Sequence, residues 1–102
     1  MTVKVVVLYT QPDDADAFDQ HYLNTHAPLV AKLPGLLRFE AGTMVAALDG
    51  GELTYHRCAE LYFADQDALG AAFGTPEGGA TAADYQQIAP PGSRMFIEVL
   101  DD

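Results

Sequence analysis

The sequence predicts an α+β fold, with one four-stranded antiparallel sheet and helices on a single face, in the order strand, helix, strand, strand, helix pair, strand. Three observations predict it. Four runs of strand length are rich in β-branched or alternating apolar residues. The segments between the first and second runs, and between the third and fourth, carry helix caps and helical spacing. The second and third runs are joined through Asp49-Gly50-Gly51-Glu52, the composition of a hairpin turn. No internal repeat, low-complexity tract or linker interrupts the 102 residues, so residues 1–102 are expected to form one domain.

Val3 to Tyr9 is a β-branched run ended by Gln11-Pro12-Asp13, and reads as a buried strand. Asp13 or Asp14 caps the next helix, with Asp16 and Asp19 near its positive end. At helical spacing Asp14, Ala15, Phe18, Tyr22, Thr25 and Leu29 share one face, with His21 and His26 near opposite edges of that stripe. Pro28 cannot donate to the Asn24 carbonyl and disfavours helical geometry at Ala27, so the helix should kink or restart near His26. After the break at Leu33-Pro34-Gly35, Leu36 to Ala46 forms a second strand with Leu37, Phe39, Ala41, Thr43 and Val45 on one face. Leu53 to Ala64 returns as the third strand. Asp65 caps a helix through Phe73, which Gly74 stops. Thr75-Pro76-Glu77 then opens another, with a hydroxyl cap, a proline at the first helical position and an acid in the first turn. That helix runs to about Gln87; Pro90-Pro91-Gly92 ends it, and Arg94 to Leu100 is the last strand.

This is the ferredoxin-like β-α-β-β-α-β order with a split second helix, in which the first and third strands are central. Alternation along the strands separates two faces. Val3, Val5, Val7, Leu37, Phe39, Ala59, Leu61, Phe63, Ile97 and Val99 make an apolar set. The other set mixes Val6, Leu8, Met44, Cys58, Tyr62 and Phe96 with Lys4, Arg38, Glu40, His56, Glu60 and Glu98. That second face is too apolar for bulk water and too charged for a dry core. A homodimer joined sheet to sheet around a semi-polar cavity satisfies both constraints.

Composition excludes several functions. Fifteen acids against five Lys and Arg give a formal net charge of −10, which repels phosphate backbones and anionic lipid, so neither nucleic acid nor membrane is expected as a partner. No apolar run approaches the roughly 20 residues of a membrane helix. A lone cysteine, Cys58, and a strand at the start in place of a signal peptide give the expectation of a cytoplasmic protein. No phosphate loop or Gly-x-Ser-x-Gly elbow is present, and Ser93 is the only serine. His21 and His26 are five residues apart, unlike ligands on one helical turn, so no metal is expected.

Two segments carry a family resemblance. His21-Tyr22-Leu23-Asn24-Thr25-His26-Ala27-Pro28-Leu29-Val30 with Lys32-Leu33-Pro34-Gly35-Leu36, and Phe73-Gly74-Thr75-Pro76-Glu77-Gly78 with Ala82-Ala83-Asp84, resemble the EthD family of dimeric α+β barrel proteins. The resemblance spans nearly the whole chain. It implies a homodimer whose two sheets close into a barrel, and a pocket between sheet and first helix. The family is named for an accessory role in ethyl tert-butyl ether degradation. Related barrels include cofactor-independent monooxygenases, cyclases and isomerases, and some bind haem.

Among candidate catalytic residues His26 stands first, at the helix interruption beside Tyr22 and on the histidine of the family's His-x-Pro motif. A neutral imidazole there can take a proton from an acidic carbon or phenol, with Tyr22 as hydrogen-bonding neighbour. The structural alternative is a helix-end imidazole satisfied by a carbonyl or stacked on Tyr22. Arg38, His56, Cys58 and Tyr62, on the mixed face, are candidate ligand contacts; Arg38 equally suits an ion pair with Glu40 or Glu60. His56 and Cys58 lie about 7 Å apart along a strand, beyond direct contact. His21 is expected at the surface. The expected chemistry is binding or conversion of a small apolar carbonyl or aromatic compound without a cofactor. The alternatives are a non-catalytic ligand-binding or accessory dimer, and a haem-binding barrel.

Overall fold

The computed structural model describes all 102 residues, and its element order follows the expected one. Strand β1 (Val3–Thr10) is followed by α1 (Ala15–His21), a π-helical turn (Tyr22–His26) and α2 (Ala27–Ala31), which together form one interrupted helix. Strands β2 (Arg38–Thr43) and β3 (Tyr55–Phe63) lead to α3 (Gln66–Phe73), α4 (Pro76–Ile88) and β4 (Arg94–Val99). The sheet is antiparallel throughout, in the order β2-β3-β1-β4, so β1 and β3 are central. This is a ferredoxin-like α+β fold. The hairpin strands are shorter than expected: residues 44–54 form a loop, with Gly50 at φ +80° where a left-handed residue is needed.

Register sets the two faces as alternation predicts. Val3, Val5 and Val7 sit opposite Phe63, Leu61 and Ala59, and with Phe18, Tyr22 and Val30 they build the core under the helices. Val6 pairs with Glu60 and Phe96, and Lys4 with Tyr62 and Glu98, on the helix-free face.

The interrupted helix departs from straight periodicity. Ala27 donates its N–H to the Tyr22 carbonyl, five residues back, so the turn carries one residue more than an α-helical turn. This widened turn lies where the Pro28 ring would press on the Asn24 carbonyl. The core stripe therefore reads Phe18, Tyr22, His26, Val30, Leu33, whereas Thr25, expected inside, is exposed and Leu29 half-buried. The extra residue turns His26 from the stripe's edge into the core, where it is 4% exposed.

A second irregularity corrects His56. Register shifts between Tyr9 and Thr10, so that Tyr9 faces Arg57 and Thr10 faces Tyr55. Both His56 and Arg57 then lie buried against α1. His56 is thus not on the mixed face, because one unpaired residue cancels the alternation.

Caps start the helices as predicted: Asp14 accepts from the Ala17 N–H at 3.1 Å, Asp65 from Ala68 at 2.8 Å and Thr75 from Gly78 at 3.1 Å. At Gly78 the N-terminus of α4 lies directly on the C-terminal end of α3. A Cβ there would overlap the Ala72 carbonyl oxygen and the Phe73 Cα, both backbone atoms. Gly78→Ala should therefore force α3 and α4 apart and cost about 1–3 kcal/mol, read as a lower urea midpoint at unchanged slope.

Candidate active site

Between the helix-facing side of the sheet and the helices lies a cavity of about 340 Å³. Val5, Val7 and Leu61 form its floor, Leu69 and Phe73 one wall, and Tyr85 another. Met95 and Ile97 of the edge strand β4 also line it and are half-exposed, which marks the mouth. No lysine, arginine or carboxylate lines it.

Its polar corner is built from three elements. β1 supplies Tyr9, the π turn supplies Tyr22 and His26, and α4 supplies Asp84 behind them. His26 Nδ1 is 2.8 Å from Asp84 Oδ2, and His26 Nε2 is 3.4 Å from the Tyr9 hydroxyl. His21 Nε2 lies 2.8 Å from Asp84 Oδ1 and 3.1 Å from Oδ2, so one buried carboxylate holds two imidazoles. The rings of Tyr9, Phe18 and Tyr22 pack edge-on or stacked with centroids 5.3–6.2 Å apart, which fixes their tilt.

Electrostatics assign the protons. Burial lowers the affinity of His26 for a proton, and the hydrogen bond to Asp84 only partly offsets this, so the imidazole is neutral at neutral pH. Burial alone would raise the Asp84 carboxyl, but the bonds from His21 and His26 outweigh it and hold it below the usual carboxylate range. Asp84 is therefore an acceptor, His26 Nδ1 carries the proton, and Nε2 presents its lone pair to the Tyr9 hydroxyl. Burial raises both phenols, Tyr22 to about 12 despite the neighbouring Arg57, so both keep their protons. The Tyr22 hydroxyl is buried and has no hydrogen-bond partner.

Of the residues singled out in the sequence, the fold brings Tyr22 and His26 to this cavity and takes the others elsewhere. Arg38, Cys58 and Tyr62 lie on the opposite face of the sheet and do not line this cavity. Strand alternation is the reason. Arg38 pairs with Glu40 at 3.3 Å and lies over the Tyr62 ring at 4.4 Å, while Tyr62 donates to Glu40 and Glu60. Burial, aided by Glu60, pushes the Cys58 thiol up, which keeps it a thiol. His56 is also outside the cavity lining: its Nε2 is 2.8 Å from Asp19, which Arg57 also contacts at 3.2 Å. Arg57 in turn lies over the Tyr22 ring at 4.6 Å.

Asp84, Tyr9, His21 and Arg57 were not among the residues assigned a functional role from the sequence. Asp84 carried a signal: it is an acid in step with Gly78 and Thr81 on the buried stripe of α4, where an acid needs a partner.

A family profile described as EthD domain matches residues 11–90. An uncharacterized 11.0 kDa protein of the thcB–thcC intergenic region of Rhodococcus erythropolis is 40% identical over 92% of this chain and 90% of its own length. A crystal structure of an ethyl tert-butyl ether degradation (EthD) family protein from Bacillus halodurans is 37% identical, with a TM-score of 0.91 over 98% of this chain and 99% of that one. The fold also recurs in SnoaB, a cofactor-independent oxygenase from Streptomyces nogalater, at 19% identity and a TM-score of 0.68 over 99% and 94% of the two chains.

Acid should unfold the protein in two stages of the same sign. A neutral buried His26 means the unfolded chain takes up a proton below about pH 6.5 while the folded chain does not, so stability falls with pH from there. Asp84 and Asp19, both held low, contribute stability that is present above about pH 4 and lost as pH falls through their folded values. Urea midpoints measured from pH 7.5 to pH 3 should decline across both windows, and Asp84→Asn should flatten the lower one.

Proposed function

The chain belongs to the EthD family, and from that premise we propose that it binds and converts a small, uncharged carbonyl or aromatic compound by proton abstraction, with His26 as general base and no cofactor. The observation that carries this reading is the His26 imidazole held by Asp84 through Nδ1 while Nε2 is directed at the cavity's polar corner. A base so placed has a fixed tautomer, its lone pair meets only the Tyr9 hydroxyl at 3.4 Å, and its neutral form is populated at neutral pH. Tyr9 and Tyr22 keep their protons and are donors for negative charge that develops on a ligand oxygen. A wall without any charged side chain disfavours carboxylate or phosphate ligands, which would be desolvated without a counter-ion. The fold shared with a cofactor-independent oxygenase supports cofactor-free chemistry of this kind. Cofactor-free oxygenation, cyclisation and isomerisation of an acidic carbon or phenol are the reaction types this proton transfer would initiate.

A test uses 5-nitrobenzisoxazole, a neutral aromatic C–H acid. A base removes its ring C–H proton, the N–O bond breaks, and a coloured phenolate forms. The protein should accelerate this opening with a plateau from neutral pH upward and a fall below, and His26→Ala should lose about a hundredfold or more. Tyr22→Phe should slow the reaction without loss of stability, because the hydroxyl it removes is unpaired in the free protein. A wild-type rate equal to that of His26→Ala would sink the base assignment.

We further propose that the mixed sheet face joins two copies. Lys4, bonded to Glu60 at 2.6 Å and 3.4 Å from Glu98, forms an internally balanced charged centre, and Val6, Leu8 and Phe96 surround it with apolar surface. A face whose charges are already paired can be covered by its own copy at lower desolvation cost than one with free charges. Light scattering should report twice the mass of one chain. Val6→Arg places a cation beside Glu60 that a folded monomer tolerates and a closed interface does not, so it should halve that mass.

A further inference from the structure

Tyr22 lines the cavity, and its hydroxyl is buried with no hydrogen-bond partner. Its titratable neighbours come from three elements: Tyr9 on β1 with ring centroids 5.6 Å apart, His26 on the π turn at 5.3 Å, and Arg57 and Cys58 on β3. Burial holds the Tyr9 phenol and the Cys58 thiol up and the His26 imidazole down, so all three are uncharged at neutral pH. Arg57 is the charged one. The register shift between Tyr9 and Thr10 turns it to the helix side, where its guanidinium carbon sits 4.6 Å from the centre of the Tyr22 ring. The side chain is 7% exposed. Its hold on Asp19 is one bond from Nη2 at 3.2 Å, the same nitrogen reaches Thr43 at 3.4 Å, and Nε is buried without a partner. A buried guanidinium placed for stability alone would meet the carboxylate with two parallel bonds and leave no N–H unpaired. This one lies against the ring instead.

We propose that Arg57 is a positioning residue that strengthens the Tyr22 hydroxyl as a donor to a ligand oxygen, with its guanidinium set against the face of the ring. This rests on the reading of Tyr22 as a donor to charge that develops on the ligand. A cation over a phenol is attracted to the negative ring face, and more strongly as the hydroxyl gives up its proton toward an acceptor. In keeping with this, Arg57 opposes the rise that burial imposes on the Tyr22 phenol. The charge acts through the ring from a residue outside the cavity lining. A pocket with uncharged walls thereby acquires a polarised donor without a cation that would call for an anionic ligand. Asp19, ionised and bonded to the same guanidinium, moderates the effect.

Two variants that break the same ion pair separate this role from packing. Trifluorotyrosine in place of Tyr22 ionises near neutral pH and reports its phenolate by absorbance in the ligand-free protein. Arg57→Met keeps an apolar stem without the charge, and should lower the ionisation constant about tenfold. Asp19→Asn keeps a carbonyl oxygen for Nη2 and removes the opposing charge, so it should raise the constant. If Arg57 only packs against Tyr22, both variants loosen one contact and move the constant in one direction. That result, or an unshifted constant in Arg57→Met, overturns the proposal. Turnover of 5-nitrobenzisoxazole gives a second reading. Arg57→Met should slow the opening about tenfold where Tyr22 is present, and less than about twofold in Tyr22→Phe. Equal slowing in both backgrounds would show that Arg57 does not act through the hydroxyl. The titration uses neither ligand nor turnover, so a failure of His26 as the base is read apart from a failure of Arg57.

Discussion

A carboxylate buried in the helical layer imposes conditions on everything around it. Asp84 sits on α4 at 8% exposure, and an isolated charge so placed would cost several kcal/mol. It is tolerated because two imidazoles from the interrupted helix bond to it from different turns. That requirement ties α4 to α1 and the π turn at defined positions. Two irregularities meet it. The extra residue of the π turn rotates His26 inward so that Nδ1 reaches Asp84, and Gly78 lets α4 start in contact with α3. With regular periodicity His26 would lie at the edge of the stripe, and its tautomer would be free.

The sheet separates chemistry from charge. Residues of one parity on β1 and β3 form the cavity floor, and the other parity gathers Lys4, Glu60, Tyr62 and their partners. The Glu60 carboxyl is held low by the Lys4 hydrogen bond and remains ionised. The sheet thereby stands between the cavity and the charged groups of its other face. Where the bulge near Tyr9 breaks alternation, His56 and Arg57 cross to the helix side. There both side chains bond to Asp19, and Arg57 lies over the Tyr22 ring.

How far the sequence was legible follows from which features are local. Caps at Asp14, Asp65 and Thr75, the break at Pro34-Gly35 and strand alternation each involve neighbours in the chain, and each was readable. Pro28 announced an interruption near His26 but not its form; a kink and a π turn satisfy the same steric conflict and differ in where they send the next side chain. The bulge that moves His56 is set by cross-strand register between residues 48 and then 45 apart (Tyr9 opposite Arg57, then Thr10 opposite Tyr55), and no local pattern encodes it. Asp84 needed an interpretation, not a pattern. It stood in plain view on the inner stripe of α4, but its partners are 58 and 63 residues away.

The burial that makes His26 a ready base also sets the limit on what it can do alone. An apolar cavity keeps the imidazole neutral, which opens the lone pair, but the same cavity would leave an imidazolium unsolvated once a proton arrives. The charge must be balanced from behind the ring. Asp84 does this, and it stays ionised because His21 shares its oxygens. Protonation of His26 therefore converts a neutral imidazole beside a carboxylate into an ion pair that is already hydrogen-bonded, with little reorganisation. Removing Asp84 would take away both the tautomer and the balancing charge, whereas removing His21 would leave the pair intact and weaken only the grip on the carboxylate. The His26–Asp84 bond is thus what reconciles a dry cavity with proton chemistry, and the π turn is the local distortion that allows the bond to form.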